Sequence, residues 1–268
     1  MKLHFDPYQI FRSSNTPTGL YARQKWLGES ESTQWQQDFQ RCVRMLLADQ
    51  SSDGSWDGDP LATINRLFGL HLTQRSSTRQ INDALDWLLG GIKITQKGLV
   101  VRLKVMDVAD TDLKGLPFVW SRPEILLTSA TLFLCSIFSR QIDPAVIKFY
   151  QRLCVESSRW IQDNKSLHNV LRALVVHPVF SRDNAVKAAV GHLAACQTET
   201  GDWGDDFPFC QTVNALAHLD LPQAERQLEN AFRRLIDIQN SDGTFGSDAR
   251  EWNTFLCVHA LRNKGILK

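Results

Sequence analysis

The chain has 268 residues, which is enough for one large domain or two small ones. Its hydrophobic content of 43% and charged content of 22% are ordinary for a globular protein in water and exclude a low-complexity or fibrous chain. The formal net charge of +1 gives no bulk attraction to nucleic acid, so we expect no nucleic-acid partner.

Targeting and redox signals point to the cytoplasm. The first residues lack the apolar core of a signal peptide. The longest apolar stretch, around Ile125–Phe138, is too short and too interrupted by Ser and Thr for a membrane span. The six cysteines are scattered without a Cys-x-x-Cys pair, as expected of buried free thiols in a reducing compartment. We therefore predict a cytoplasmic protein.

The chain reads as a succession of helices. An N-terminal segment, 1–33, holds a predicted helix Pro17–Leu27, and a helix Gln34–Ala48 follows with apolar residues at helical spacing. Asp59-Pro60 opens the next helix, through Thr73, because Pro is favoured at the first helical position. The remainder is predicted as helix pairs: Ile81–Leu89 with a helix from Pro123, Pro144–Ile161 with Leu167–Val176, Asn184–Ala195 with Phe209–Leu219, and Ala224–Ile238 with Trp252–Leu261.

Three corners between helices share one pattern, a Gln followed four residues on by Gly and six residues on by an aromatic residue. Three matches between amphipathic segments indicate an internal repeat. Gly permits the positive φ that ends a helix, and the aromatic ring is large enough to cover the end of the repeat. The simplest role for these residues is structural, as braces between neighbouring repeats. They are Gln50, Gly54 and Trp56; Gln197, Gly201 and Trp203; and Gln239, Gly243 and Phe245.

An insertion interrupts the repeat at 90–119. The aligned positions Thr63, Glu124, His168, Thr212 and Thr254 are 61, 44, 44 and 42 residues apart, so the first interval is the longer one. Within it, the stretch from Leu99 to Met106 alternates apolar and basic residues, which predicts a small strand-like element near 93–119. Such an insert is a candidate for a lid or hairpin; a solvated surface hairpin is the equal alternative.

The corners resemble the QW repeat of the squalene cyclase and protein prenyltransferase β-subunit superfamily. The run Trp203-Gly-Asp-Asp with Gln211-Thr-Val-Asn-Ala-Leu216 is similar to the WGE and QTAWAL pattern of that family. The stretch Gly115–Glu124 resembles a GWPW and WVEPT segment of single-barrel bacterial relatives. The resemblance implies an all-α fold, an α/α toroid of about six helix pairs in inner and outer rings, as one domain over 1–268.

For activity, the resemblance implies a class II terpene cyclase, in which an Asp-x-Asp-Asp motif protonates an isoprenoid. A proton-donating carboxyl needs a raised pKa, which burial and a neighbouring carboxylate provide. The motif is degenerate here. Asp59 in Asp57-Gly-Asp-Pro60 is one candidate acid, although a helix cap is the plainer reading. The other candidate acids are Asp110 and Asp112, which form a cluster with Asp107. The alternative is that this cluster is a solvated turn.

Substrate binding is predicted at the starts of the inner helices, where free N–H groups and a partial positive charge are exposed. There, aromatic rings would stabilise a carbocation by cation–π contact, and Arg122 with its neighbours Arg102 and Lys104 would hold a diphosphate. The alternative for the aromatic rings is that they pack in the core. The alternative for the basic residues is that they face solvent. The predicted binding residues are Trp120, Arg122, Glu124, Phe209 and Trp252.

No metal or other cofactor is predicted. The prenyltransferase branch implies zinc held by an Asp-x-Cys pair and a later His, but Pro208 and Asn253 stand at the first and last of these positions. The predicted function is a terpene-cyclase-like protein that binds a polyisoprenoid in a central apolar cavity and, if it is an enzyme, cyclises it. The alternative is a non-catalytic lipid-binding or protein-interaction toroid, and sugar processing is a third reading that the corners disfavour. Peripheral membrane contact, a partner protein and a homo-oligomer stay open.

Overall fold

A computed structural model of the chain describes residues 2–96, 98–104 and 113–267. Within these ranges the protein is all-α, with twelve α-helices and one two-stranded sheet. The helices are α1 Pro17–Lys25, α2 Thr33–Leu47, α3 Pro60–Thr73, α4 Arg79–Gly90, α5 Pro123–Ile137, α6 Pro144–Val155, α7 Ser157–Trp160, α8 Asn164–Val175, α9 Asn184–Cys196, α10 Phe209–Leu216, α11 Pro222–Asp237 and α12 Arg250–Asn263. The strands are β1 Ile92–Thr95 and β2 Gly98–Val101, paired antiparallel.

The helix starts follow from local capping chemistry. Five helices begin with Pro at the first position, where its missing N–H costs nothing. Thr16, Thr78 and Asp143 each accept a hydrogen bond from a backbone N–H of the first turn that they precede. Sequence signals of this kind are local, so the predicted starts at Pro17, Pro60 and the later prolines agree with the structure.

The predicted helix Pro144–Ile161 is wrong as a single helix. It breaks at Glu156, which ends α6 and precedes α7 with φ −89° and ψ 15°. The break brings the Trp160 indole N–H to the carbonyl oxygen of Leu153 at 2.8 Å. It also lets the Glu156 carboxylate pair with Arg152 at 2.6 Å and Arg159 at 3.2 Å.

The predicted strand from Leu99 to Met106 is only partly right. β2 ends at Val101, which pairs with Ile92, the first residue of β1. α4 ends at Gly90 and only Gly91 separates it from Ile92, so β1 cannot extend further toward α4. Residues 105–112, which include the rest of the predicted strand, lie outside the described residues.

Residue contacts divide the chain into two compact units. Unit 1 combines Met1–Val43 with Val190–Lys268, and unit 2 is Arg44–Ala189. The prediction of one domain over 1–268 stays a prediction.

In unit 2, α5 is the central element. It packs against α3, α4, α6, α8 and β2, and every residue from Ile125 to Cys135 is buried. The neighbouring α8 is buried from Ser166 to Val175. α5 and α8 are therefore buried on all sides along most of their length, and they form the core of unit 2.

In unit 1, α12 packs against α1 and α10, and α10 also packs against α11. A buried ion pair joins α1 to the start of α2: Arg23 Nη1 lies 3.1 Å from Asp38 Oδ2, and both side chains are almost fully buried. Across the described residues, no helix is long and apolar enough to cross a bilayer.

Candidate functional site

The three predicted corners make the same hydrogen bonds. In each, the Gln side-chain nitrogen donates to the carbonyl oxygen of the corner Gly four residues on, at 2.8, 3.1 and 3.0 Å in chain order. The same nitrogen also donates to a carbonyl in another segment of its own unit. These second acceptors are Gln80 for Gln50, Gln227 for Gln197 and Phe5 for Gln239.

The corner glycines are required by a close backbone approach. Gly54, Gly201 and Gly243 have φ of 94°, 90° and 85°, which L-residues rarely adopt. A Cβ at these positions would lie 2.4, 2.5 and 2.0 Å from the carbonyl oxygens of Asp83, Asn230 and Asp6, respectively. A side chain larger than hydrogen would push the neighbouring segment away.

The corner aromatics Trp56, Trp203 and Phe245 are buried in the cores of their units. The backbone N–H of Trp56 donates to Thr63 Oγ1 at 3.1 Å, and that of Phe245 donates to Thr254 Oγ1 at 3.0 Å. Thr63 and Thr254 were aligned by the repeat period alone, and both make this contact. The geometry of all three corners is that of a structural brace.

The first predicted acid, Asp59, caps α3. One of its carboxylate oxygens accepts from Leu61 N at 3.0 Å and the other from Ala62 N at 3.2 Å. A general acid must carry a proton on one oxygen and direct it at the substrate. With both oxygens accepting backbone N–H bonds, the position of Asp59 suits the cap and not proton donation. Asp110, Asp112 and their neighbour Asp107 lie outside the described residues.

One of the predicted binding residues, Glu124, lines a groove between β2 and the start of α5, and Arg122 lines a smaller recess beside it. The groove has a volume of about 470 Å³. Its lining is mostly apolar: Leu99, Val100, Val101, Leu103, Pro123 and Glu124. We call it the hairpin groove.

A smaller recess of about 110 Å³ adjoins the hairpin groove, since both are lined by Leu99 and Glu124. Two basic and two acidic side chains face this recess, so its lining carries no net charge. They are Arg122, Arg159, Glu124 and Glu156. Arg122 is half exposed and lies 3.9 Å from Glu124, a weak pair.

Trp120, two residues before Arg122, is half-buried. Its indole Nε1 is buried and meets no hydrogen-bond partner among the described residues. Trp120 is close in sequence to the groove but does not line it.

The other two predicted binding residues, Phe209 and Trp252, belong to unit 1. The Phe209 ring lies 6.0 Å from that of Trp203, the corner aromatic. Trp252 is buried and stacks on Phe255 at 5.6 Å, and Phe255 in turn stacks on Trp26 at 5.1 Å. Both residues therefore pack against aromatic side chains of unit 1.

Unit 2 contains a buried basic residue that the sequence reasoning missed. Arg172 on α8 is only 6% exposed, and its guanidinium carbon lies 5.1 Å from the centre of the Phe133 ring on α5. One turn earlier on the same helix, His168 is also buried, and its Nε2 donates to the carbonyl oxygen of Pro117 at 3.2 Å. Burial lowers the pKa of Arg172 to about 10 and that of His168 to about 4.

A signal for this pair was present in the sequence. Arg172 interrupts an otherwise apolar run from Val170 to Val175, and His168 precedes it by one helical turn. A basic residue inside a helix that is buried on all sides has no solvent side to reach. The repeat alignment used His168 only to set the period.

No three His, Cys, Asp or Glu side chains in the described part of the chain come together as ligands for a metal ion.

No family model matches the chain, and no curated protein matches it. Several solved structures do. One of them, described as the crystal structure of a protein from Actinoplanes, is 15% identical, with a TM-score of 0.59 over 94% of this chain and 89% of that chain. At this level of identity the likeness shows a shared fold alone.

Proposed function

We propose that this chain is an α/α toroid of the kind found in the squalene cyclase and prenyltransferase β-subunit superfamily, and that it binds an isoprenoid chain. Three observations support the toroid. The corners repeat one hydrogen-bond pattern, α5 and α8 are buried along most of their length, and α5 packs against α8 in unit 2 as α10 packs against α12 in unit 1. Repeat architectures bury a core in this way, by stacking like units.

The observation that carries the proposed binding function is the hairpin groove. Its volume of about 470 Å³ falls within the range of small-molecule pockets. Leu99, Val101, Leu103 and Pro123 offer the apolar contacts that a hydrocarbon chain needs. The groove lies on the insertion that interrupts the repeat, where specialised function is expected.

The charges beside the groove favour an uncharged ligand. The recess next to it has two arginines and two glutamates, so a diphosphate would gain from the arginines and lose against Glu124 and Glu156. We therefore infer an isoprenoid hydrocarbon or alcohol, and not a prenyl diphosphate, as the groove ligand.

The proposal covers binding and not cyclisation. Class II cyclisation needs a carboxyl group free to give up a proton, and both oxygens of Asp59 accept backbone N–H bonds.

The test is native mass spectrometry of the protein with four probes: squalene, farnesol, farnesyl diphosphate and geranylgeranyl diphosphate. We expect the two uncharged probes to bind at one molecule per chain and the diphosphates to bind at least about ten times more weakly, a difference of about 1.4 kcal/mol.

A matched pair of variants locates the binding. Val100 lines the groove and is 42% exposed, so Val100→Trp fills the groove without disturbing the core. Val155 is 78% exposed and does not line it, so Val155→Trp is the control. We expect only the first variant to lose binding. Failure of every probe to bind, or equal losses in both variants, would overturn the proposal in favour of a protein-interaction scaffold.

A further inference from the structure

The guanidinium of Arg172 is buried and has no ionic partner in residues 2–96, 98–104 and 113–267. Its Nε and Nη1 atoms are shielded from solvent, and no hydrogen-bond acceptor among the described residues reaches them. No Asp or Glu of the described ranges lies within ion-pair distance of it. What it does contact is the face of Phe133.

The surroundings of Arg172 are apolar and aromatic. Phe133 lies 5.6 Å from Phe118, ring edge to face, and 6.0 Å from Phe68 on α3. All three rings are buried. A charge in such surroundings is poorly screened, and a cation–π contact replaces only part of the hydration that the guanidinium loses.

His168 does not supply the missing negative charge. Its Nε2 carries the proton that binds Pro117, and burial lowers its pKa to about 4, so the ring is neutral at pH 7. The cluster of Arg172, His168, Phe118 and Phe133 therefore carries a net charge of +1 at neutral pH.

We propose that Arg172 binds the carboxylate of an apolar organic acid, at a second site in unit 2 distinct from the hairpin groove. A buried charge is stable only when it is paired and hydrogen-bonded, and two nitrogens of Arg172 meet no acceptor in the part of the chain that the structure describes. A carboxylate brings one negative charge and balances the single guanidinium. A diphosphate would bring two or more charges and leave an unbalanced anion in the same dry cluster. The aromatic rings of Phe118 and Phe133 would contact the apolar part of the acid. This inference goes beyond the proposed isoprenoid binding and does not depend on it.

The experiment compares dodecanoate with dodecanol, which have the same chain length and differ in the charged group. Binding is measured by isothermal titration calorimetry below the critical micelle concentration, with pyrophosphate as a third probe. We expect dodecanoate to bind the unmodified protein at least ten times more tightly than dodecanol, and pyrophosphate not to compete with it.

Two substitutions at Arg172 test the assignment. Arg172→Met keeps an unbranched apolar side chain and removes the charge, so we expect it to lose dodecanoate binding by at least tenfold while its Tm without ligand stays equal to or above that of the unmodified protein. Arg172→Lys keeps a positive charge and should retain part of the affinity. The control is Arg79→Met, since the Arg79 side chain is 94% exposed on α4.

Three results would overturn the proposal. The first is equal affinity for dodecanoate and dodecanol. The second is unchanged dodecanoate binding in Arg172→Met. The third comes from a double-mutant cycle without ligand, which combines Arg172→Met with replacement of Asp107, Asp110 or Asp112 by Asn. If the two changes have non-additive effects on the free energy of unfolding, a carboxylate of the chain neutralises the guanidinium. If the Val100→Trp variant still binds dodecanoate, the acid does not occupy the hairpin groove, and the two binding proposals can be judged separately.

Discussion

Gln239 and Phe5, 234 residues apart in sequence, exchange two hydrogen bonds. The Gln239 side-chain nitrogen donates to the Phe5 carbonyl oxygen at 3.0 Å, and Phe5 N donates back to Gln239 Oε1 at 3.0 Å. In the other two corners the equivalent Gln donates to a carbonyl 30 residues later in the chain. The N-terminal segment thus supplies the second carbonyl acceptor for the last corner, as α4 and α11 supply it for the first and second corners.

The first prediction concerns this pair. Gln239→Ala should lower the free energy of unfolding by about 1 kcal/mol, because it removes hydrogen bonds that are partly exposed to water. Urea unfolding followed by circular dichroism measures the change. Gln36→Ala on the exposed face of α2 is the control and should have little effect. Equal losses in the two variants would contradict the bracing role of Gln239.

The second prediction separates the two reasons why a corner needs glycine, the positive φ and the close approach of a neighbouring carbonyl. Gly201→Ala places a Cβ 2.5 Å from Asn230 O and adds strain at positive φ, so we expect a loss of roughly 2–4 kcal/mol. Gly204→Ala has positive φ but open space around the Cβ, so we expect about 1 kcal/mol. Urea titrations of both variants give the comparison. If Gly204→Ala were as harmful as Gly201→Ala, the close approach to Asn230 would not be what selects glycine.

The third prediction concerns Asp59 as a helix cap. Asn caps a helix about as well as Asp, so Asp59→Asn should leave Tm almost unchanged. Asp59→Ala loses both bonds to the first turn of α3 and should cost about 1 kcal/mol. Differential scanning calorimetry distinguishes the two. An Asp59→Asn variant that folds normally but loses an isoprenoid cyclisation measured in the unmodified protein would restore Asp59 as the proton donor.

The fourth prediction concerns acid stability and the Arg23–Asp38 pair. Burial alone would raise the pKa of Asp38, but hydrogen bonds from Arg23 and Gln34 outweigh it, so the pKa is lowered. Because the folded-state pKa lies below the unfolded one, the pair stabilises the fold above the unfolded pKa, and this contribution is lost as pH falls through the folded pKa.

Asp38→Asn should therefore destabilise the protein at pH 7 by about 3 kcal/mol, since it leaves a buried guanidinium with one charged partner fewer. At a pH below the folded-state pKa of Asp38, the difference from the unmodified protein should shrink. Urea unfolding at pH 7 and in acid measures both. Glu31→Gln, at an exposed position, is the control. A pH-independent difference would contradict the ionic role of Asp38.

The fifth prediction uses His168. Burial lowers its pKa from 6.5 to about 4. Between about pH 4 and 6.5 the unfolded chain binds more protons at this histidine than the folded chain does. The stabilising contribution of the neutral His168 is therefore complete above about pH 6.5 and decreases as pH falls toward 4. The shift corresponds to about 3 kcal/mol in total.

His168→Gln cannot titrate and retains a side-chain donor for Pro117, so its stability should depend less on pH between 4 and 6.5. Chemical unfolding at several pH values in this range provides the measurement. The exposed His4, replaced by Gln, should leave the pH dependence as it is. If the His168 variant showed the full dependence, another group would be responsible.

Local features of the fold were predictable from sequence. Prolines and Asp59 located helix starts, and the apolar run at Ile125–Phe138 coincides with α5, which is buried from Ile125 to Cys135. The break at Glu156 was not predictable, because the residues around it show no Gly or Pro and the turn depends on Trp160 reaching Leu153. For the candidate site, sequence placed Arg122 and Glu124 near the insertion but gave no indication of a groove. The groove exists only because β2 packs against α5.

By itself, the sequence determined the bond from each corner Gln to its Gly, since donor and acceptor are four residues apart and backbone geometry brings them together. It also determined the spacing of the buried aromatics that follow. Only the tertiary structure decided which carbonyl accepts the second bond, whether Gln80, Gln227 or Phe5, and that Arg172 would face Phe133 without a carboxylate partner among the described residues. The physical reason is distance along the chain: contacts within a turn follow from local dihedral angles, whereas contacts between segments follow from which apolar faces bury each other.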